Sequence, residues 1–300
     1  MLKIAYSPLY CHPLPEGHRF PMEKYNLLPE QLLYEGTIQQ DNLFEPKPLE
    51  EKWILNTHSS DYYQKLKNLA LSKSEIRATG FPLSPELVNR EIVIMGGSVQ
   101  AALFALEYRI AFNIAGGTHH AFTDRGEGFC LLNDIAIAAN YLLQNSLVSK
   151  VLVVDLDVHQ GNGTAEIFRN NSNVFTFSMH GAKNYPHRKE NSDLDIELPD
   201  GCGDEFYLEA LDRNLSAIFE KFDPDFIIYQ SGVDPLKTDK LGRLGLSMRG
   251  IHFRDKMVLS LAKQQNIPLM SCMGGGYSPR IKDVIDAHAQ VYRLAQEMYF

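Results

Sequence analysis

The sequence predicts a single α/β domain with a largely parallel sheet and helices on both faces. Short apolar runs alternate along the 300 residues with longer segments in which apolar residues recur with helical periodicity. No repeat or low-complexity linker interrupts this alternation. Four of the runs end in polar or glycine-rich sequence, and ligands of parallel sheets bind beyond the carboxyl ends of the strands. We therefore expect a functional site where these strand ends meet.

The elements follow from the positions of these segments. Five apolar runs are predicted to be strands: residues 3–7, 151–157, 173–179, 226–232 and 267–274. Five periodic segments are predicted to be helices: residues 84–107, 133–144, 204–221, 247–265 and 280–298. Ser84 caps the first helix, Pro85 occupies its first turn, and Ser247 is expected to cap the fourth. The predicted long loops, which in compact α/β domains are often functional, are residues 8–21, 36–50 and 180–203.

Composition and charge exclude several classes of function. The net charge is −8 without any basic run, so we expect no direct nucleic-acid binding, and this charge weakly favours a cationic or neutral substrate. The four cysteines are scattered without a CxxC pair, which disfavours a cysteine zinc site and is typical of the reducing cytoplasm. No signal peptide is evident, and no apolar run approaches the roughly 20 residues of a membrane helix. A cytoplasmic protein without a membrane partner is predicted.

The stretch VLVVDLDVHQGNG, residues 151–163, combines a buried strand with polar side chains at its end. Asp155, Asp157 and His159 lie on one side of the strand as long as it stays extended. Buried carboxylates need a cation or hydrogen-bond donors, and a divalent metal would supply the cation. Asp157 and His159 are suitable zinc ligands, and Asp234, after the strand at 226–232, is the candidate for the third. The alternative is a helix-capping aspartate beside a surface histidine.

Two further motifs contain candidate catalytic groups. His119 and His120 are adjacent in a glycine-rich loop before a helix, and imidazoles near a metal act as general bases or acids at neutral pH. CMGGGYSP, residues 272–279, places Tyr277 after a sharp glycine turn, where its hydroxyl could stabilise an oxyanion. Structural histidines and a packed tyrosine in a tight turn are the alternatives.

Together, these motifs resemble the histone deacetylase family of zinc-dependent amidohydrolases. HRFPMEKY, GGTHHAF, RGEGFCLLND, DLDVHQGNG, QSGVD and GGGY follow one another in the family's order and cover nearly the whole chain. The form HQGNG is most similar to class IV and to bacterial histone deacetylase-like amidohydrolases. The resemblance implies one catalytic domain over residues 1–300 with the arginase/deacetylase fold, whose largely parallel sheet has roughly eight strands.

The resemblance also implies roles for individual residues and two ions, a catalytic Zn²⁺ and a structural K⁺. The residues that match the zinc ligands are Asp157, His159 and Asp234. The residues that match the catalytic groups are His119, His120 and Tyr277. The residues that match the potassium site and the support of the two histidines are Asp155, Ser178, Met179 and Asn162. The residues that match the substrate channel are Gly128, Phe129, Tyr185 and Gly275. The residue that matches an internal-channel arginine is Arg19.

The sequence departs from the class I pattern at two places. Asn162 stands where those enzymes have an aspartate, and a neutral amide stabilises an imidazolium less, so His120 is expected to be less basic. Residues 77–86 contain no match for the rim aspartate that holds the peptide backbone in class I enzymes. Recognition of a protein substrate is therefore left open by the sequence.

The resemblance predicts a zinc-dependent deacylase in which His120 exchanges protons with water and the leaving amine. Its partner would be an acylated lysine peptide or a small acylated amine, and oligomeric state is not predicted. One alternative is an acyl-amine binding protein with weak or lost catalysis. Another is a manganese ureohydrolase, which would require acidic ligands where Gln160 and Gly161 stand. Residues 92–107 lack the GxGxxG pattern of a nucleotide site, so their glycine pair is expected to serve helix packing or a bend.

Overall fold

The computed structural model describes all 300 residues and contains one eight-stranded sheet in which every pairing is parallel. The strands are β1 (Lys3–Ala5), β2 (Leu43–Phe44), β3 (Ile110–Asn113), β4 (Val151–Asp155), β5 (Val174–Gly181), β6 (Leu194–Leu198), β7 (Phe226–Gln230) and β8 (Leu269–Cys272). Their order in the sheet is β2-β1-β3-β8-β7-β4-β5-β6. The predicted parallel α/β architecture is confirmed.

Ten α-helices surround the sheet. They are α1 (Lys24–Tyr34), α2 (Glu51–Leu55), α3 (Ser60–Lys67), α4 (Lys73–Thr79), α5 (Pro85–Tyr108), α6 (Asp134–Gln144), α7 (Asn162–Phe168), α8 (Asp204–Phe222), α9 (Met248–Gln264) and α10 (Ile281–Tyr299). Every residue of β3, β4, β7 and β8 is buried, and successive side chains of a strand point to opposite faces. Both faces of the central sheet are therefore covered, and one continuous hydrophobic core extends from Leu2 to Ala295.

The predicted helices and strands are present, with caps as expected. The hydroxyl of Ser84 accepts a hydrogen bond from the Leu87 amide at 3.2 Å, and that of Ser247 accepts one from the Gly250 amide at 3.1 Å. The two serine hydroxyl oxygens therefore accept hydrogen bonds from backbone amides that a helix leaves unpaired in its first turn. Four of the five predicted strands end earlier than expected: β1, β4, β7 and β8 stop at Ala5, Asp155, Gln230 and Cys272.

Three strands and five helices went unpredicted, for identifiable reasons. Strand β2 has two residues. Strand β6 is an edge strand of alternating apolar and acidic residues, mostly half-buried, inside the segment 180–203 that was predicted to be a loop. Only Arg109, in the left-handed conformation with a φ of 73°, separates helix α5 from strand β3. Glycine at this position would have predicted the end of the helix, but arginine does not. Helix α1 contains Pro29, which weakened its helical pattern. The remaining unpredicted helices are α2, α3, α4 and α7, all of eight residues or fewer.

The glycine pair of residues 92–107 lies in the middle of α5 and serves packing, as expected. A β-carbon at Gly96 would collide with the carbonyl oxygen of Lys47. By length and composition alone, helix α5 could cross a membrane, although we predicted no membrane helix from the sequence. In the structure, 61% of its most apolar 18-residue window is buried inside the protein. It packs against β1, β3 and β8, and core helices have this composition.

Candidate active site

The candidate site lies at the carboxyl edge of the sheet, beyond the ends of neighbouring strands. The segments that form it follow β4, β7 and β8, and the loop after β3 closes it from the side. Because β4 and β7 pair in register, Asp155 lies beside Gln230, and the loops that follow them start at the same level. This is the position at which parallel sheets bind ligands.

Asp157, His159 and Asp234 converge in this site with their ligand atoms within 4.8 Å of one another. The Nδ1 atom of His159 lies 2.9 Å from Oδ1 of Asp157 and 3.1 Å from Oδ2 of Asp234. All three side chains are buried, and Oδ2 of Asp234 has no hydrogen-bond partner of good geometry. Two buried carboxylates and an imidazole with a free acceptor oxygen form a donor set that fits a zinc ion.

The charges of this triad are shifted strongly when no cation is bound. Burial and the nearby Asp157 raise the pKa of Asp234 to about 7. Burial lowers the pKa of His159, but the adjacent Asp157 and Asp234 carboxylates outweigh burial and raise the pKa to about 10. The triad therefore retains protons at neutral pH that a bound cation would have to displace.

Backbone and side-chain donors hold the two carboxylates in place. The amide of Gly275 and the side-chain nitrogen of Gln230 each donate to Oδ2 of Asp157 at 2.9 Å. The amide of Val158 donates to Oδ1 of Asp234 at 2.8 Å. Such hydrogen bonds fix the orientation of metal ligands and are a regular part of metal sites.

The two adjacent histidines have similar geometry but different partners. Nδ1 of His119 lies 2.6 Å from Oδ2 of Asp155, and Nδ1 of His120 lies 2.6 Å from Oδ1 of Asn162. Burial lowers the pKa of His119, but the Asp155 carboxylate outweighs it and raises the pKa. Burial and the neighbouring His119 hold the pKa of His120 well below its ordinary value. At neutral pH, His120 is therefore a neutral base whose Nδ1–H points to Asn162 and whose Nε2 is free to accept a proton.

Tyr277 follows the glycine turn after β8 and faces the triad. Its ring centroid lies 6.5 Å from that of His159, and its amide donates to the Asp239 carboxylate at 2.6 Å. Burial and the nearby Asp234 raise the pKa of Tyr277 well above its ordinary value. The hydroxyl is therefore a protonated donor beside the triad.

A channel leads from the surface to these groups. Its inner part is a cavity of about 40 Å³, and its walls include Gly128, Phe129 and Gly275. An outer cavity of about 570 Å³ continues it and is lined in part by Tyr185, whose hydroxyl donates to Glu127 at 2.7 Å. The structure thus places the four predicted channel residues along one path.

The residues predicted to hold potassium lie deeper in the sheet. The β4–β5 register sets Asp155 beside Ser178, and Met179, the next residue, is fully buried. The hydroxyl of Ser178 lies 3.0 Å from Nδ1 of His180, whose Nε2 is buried without a partner. These residues form a group separate from the triad, with Asp155 also holding His119.

Arg19 is not in an internal channel, and that prediction is wrong for this structure. Its side chain is exposed, lines the outer cavity and lies 5.0 Å from the centre of the Phe129 ring. The cation beneath the site is Lys24, whose Nζ is buried and donates to the Gly274 carbonyl at 2.8 Å. Burial lowers the pKa of Lys24 to about 8, against the opposing influence of Asp234. The motif HRFPMEKY contains both Arg19 and Lys24, but the position at which α1 begins determines which of the two side chains points inward.

Sequence reasoning also missed Arg254 in α9. Its guanidinium is buried, pairs with Asp255 at 2.7 Å and donates to the carbonyls of Leu156 at 3.3 Å and Gly232 at 2.5 Å. These carbonyls belong to the segments that carry Asp157 and Asp234, so Arg254 links the two ligand loops from below. An Arg-Asp pair in an amphipathic helix normally faces solvent, and nothing in the sequence distinguishes this one.

Comparisons with known proteins agree with this geometry. The chain matches the model of the Histone deacetylase domain over residues 18–292. It is 41% identical over 296 residues to an uncharacterized protein of Picosynechococcus sp., with 99% of each chain covered. It is 31% identical over 288 residues to Histone deacetylase 2 of Arabidopsis thaliana, covering 92% of this chain and 74% of that one.

Two solved structures have the same fold. The HD domain of HDA15 superimposes with a TM-score of 0.82 at 21% identity, covering 97% of this chain and 90% of that one. An HDAC homolog complexed with SAHA superimposes with a TM-score of 0.82 at 25% identity, covering 98% of this chain and 82% of that one. The matched regions include every residue of the candidate site from His119 to Tyr277.

Proposed function

Because the chain belongs to the histone deacetylase family, we propose that it is a zinc-dependent deacylase that hydrolyses the amide of acylated amines. The observation that carries this proposal is the buried Asp157, His159 and Asp234 triad beside a neutral His120. A metal-binding triad next to a base that is unprotonated at pH 7 is the arrangement that amide hydrolysis by water requires. The HQGNG motif supports a relationship to class IV within the family.

When bound by the triad, zinc would polarise the acyl carbonyl and acidify a water molecule. His120 takes the proton of that water at Nε2, while Asn162 keeps Nδ1–H in place. The same Nε2–H then protonates the leaving amine. The Asp155 carboxylate raises the pKa of His119 against the effect of burial, and the His119 ring centroid lies 4.1 Å from that of His120, so His119 assists electrostatically near the developing oxyanion. The Tyr277 hydroxyl donates a hydrogen bond to that oxyanion.

A structural potassium ion held by Asp155, Ser178 and backbone carbonyls that include Met179 belongs to the same proposal. The support for it is the adjacent register of Asp155 and Ser178 at the end of β4 and β5. A cytoplasmic location is proposed from the four free cysteines. The substrate would be an acylated lysine peptide or a small acylated amine.

The residues after His159 do not supply the acidic ligand that a manganese ureohydrolase would need. The side-chain nitrogen of Gln160 donates to the Glu190 carbonyl at 2.7 Å and to Asp195 at 2.9 Å. Gln160 is therefore engaged with Asp195 of β6 and with the segment before it. The DxHxD pattern of such enzymes places a further acidic ligand where this chain has Gly161, so a second metal would lack that ligand. An acyl-amine binding protein without catalysis is the second candidate, since it would need the same channel and triad.

The test is hydrolysis of a matched panel by the zinc-loaded protein. The panel contains acetyl-, octanoyl- and myristoyl-lysine peptides and acetylpolyamines, and Tyr277→Phe is assayed in parallel. We expect turnover of at least one group and a decrease of about 100- to 1,000-fold in Tyr277→Phe at unchanged zinc content, because one oxyanion donor is lost. Binding of the panel without turnover, at one zinc per chain, would favour the binding protein instead.

A further inference from the structure

We infer that the mouth of the channel selects acylated amines whose carrier has a carboxylate on the part that stays outside the narrow channel. This inference rests on the proposed function for the acyl group and concerns the part of the substrate that stays outside the narrow channel. It is carried by the charges that line the outer cavity.

The charged side chains that line the outer cavity are all basic. Arg19, Lys183 and Arg243 line it, while no carboxylate does. The side chains of Lys183 and Arg243 are 71% and 53% exposed, so they remain available to a ligand. His187 adds a further nitrogen to this wall.

The nearby carboxylates do not neutralise these cations. Lys183 and Arg243 share one carboxylate, that of Asp200, at 3.7 and 3.2 Å. Arg19 has no carboxylate within 4 Å. Among the residues that line the cavity and their ion-pair partners, three cations and one shared carboxylate leave an excess of about two positive charges at neutral pH. Glu127, below the rim, is occupied by the Tyr185 hydroxyl and by the Arg125 guanidinium at 2.9 Å.

Hydrogen bonds connect the backbone segments from which Lys183 and Arg243 project. The Asn184 side chain donates to the Leu241 carbonyl at 2.8 Å and accepts from the Arg243 amide at 3.2 Å. The Lys189 ammonium donates to the carbonyls of Asn184 and Pro186, both at 2.6 Å. The segment with Lys183 is therefore tied to the segment with Arg243, so the two cations project from a connected part of the rim.

The local charge, not the net charge of −8, decides which carrier is attracted. Exposed charges are screened over about 8 Å at physiological salt, so distant carboxylates contribute little at the mouth. An acyl group in the narrow channel leaves its amine carrier among Arg19, Lys183 and Arg243. Electrostatic complementarity favours an anionic carrier there and disfavours polyamines and lysine-rich segments. The weak expectation of a cationic substrate from composition is thereby reversed.

The experiment measures binding first, so that it does not depend on turnover. Three fluorescein-labelled acetyl-lysine heptapeptides of equal length, flanked by Glu, Gln or Lys, are titrated with the zinc-loaded protein, with a parallel octanoyl set. We expect the Glu peptide to bind about tenfold more tightly than the Lys peptide at low salt, with the Gln peptide between them. Raising the salt to about 0.5 M should remove most of the difference.

Variants and small ligands identify the residues and the source of the carboxylate. Arg19→Gln combined with Lys183→Gln should reduce the preference at least threefold, whereas Lys221→Gln, an exposed lysine at the opposite end of the sheet, should leave it unchanged. Competition by Nα-blocked Nε-acetyl-lysine and by its carboxamide separates the substrate's own carboxylate from flanking acidic side chains. The inference is supported if the carboxylate ligand competes better than its carboxamide, or if the Glu peptide binds more tightly than the Gln peptide.

Two outcomes separate this inference from the proposed function. Equal binding of the Glu and Lys peptides, or tighter binding of the Lys peptide, overturns the inference even if all peptides are hydrolysed. The expected binding order without turnover of any peptide leaves the inference standing and overturns the proposed hydrolysis.

Discussion

Replacing Asn162 by aspartate should move the acid limb of the activity profile to higher pH. The structure contains its own comparison, because His119 and His120 are equally buried and each has an oxygen 2.6 Å from Nδ1. The one beside the Asp155 carboxylate has a raised pKa, and the one beside the Asn162 amide has a pKa well below the ordinary value. The charge of the partner is the main difference between the two.

The magnitude follows from that difference. A carboxylate in contact with an imidazolium raises its pKa by about 1 to 3 units, which corresponds to about 1.4 to 4 kcal/mol. In the wild type, His120 stays neutral down to a pH well below 6.5, so the base remains available. In Asn162→Asp, the raised pKa protonates His120 as the pH falls through the new value. Activity is therefore lost earlier on acidification.

The assay is kcat/KM of the zinc-loaded protein from about pH 5 to about pH 9, a range that reports the ionisation of the free enzyme. Asn145→Asp, at the exposed end of α6, introduces the same charge away from the site and serves as the control. We expect the acid limb to rise by about 1 to 3 pH units in Asn162→Asp alone. An acid limb that stays in place, or moves to lower pH, would refute the assignment of His120 as the base.

Three further predictions follow from the site. Arg254→Leu should lower the free energy of unfolding in urea by about 3 to 5 kcal/mol and weaken zinc binding, because it leaves the buried Asp255 carboxylate without its cation. A loss below about 1 kcal/mol would contradict the role of Arg254 in linking the two ligand loops. Gly275→Ala should abolish zinc binding, because its β-carbon would collide with a ligand carboxylate and lie 2.7 Å from another, whereas Gly203→Ala, with nothing within 4 Å, should bind zinc normally. Zinc affinity, measured against a competing chelator, should fall at least about tenfold per pH unit below pH 7. Zinc binding requires His159, with a pKa of about 10, and Asp234, with a pKa of about 7, to release protons. A zinc affinity that does not change with pH would argue against this triad.

The sequence was most informative where chemistry and position coincide. Asp157, His159 and Asp234 follow apolar strands directly, so their convergence at one edge of a parallel sheet could be expected from the order of elements. The alternation rule was a poorer guide to detail, because β4 ends at Asp155 and the loop, not the strand, brings Asp157 and His159 to the triad.

The residues that went unpredicted act through contacts distant in sequence. Lys24 donates to a carbonyl 250 positions away, and Arg254 to one 98 positions away. Their partners are backbone oxygens, which every residue has, so no sequence pattern marks the pairing. The misplacement of Arg19 has the same origin, since spacing alone does not determine which cation of a loop turns inward.

The position of β8 has a consequence for how the chain folds. Strand β8 is the last strand in the sequence, yet it pairs with β3 on one side and β7 on the other. During synthesis, the strands of the first 113 residues and those of residues 151–230 therefore have no shared partner until residues 269–272 leave the ribosome. Until then, the nascent chain presents two unpaired strand edges, which are prone to aggregation. Gly275 and Tyr277 follow β8 directly, so the pairing of β8 joins the two parts of the sheet and brings these residues to the candidate site in the same step.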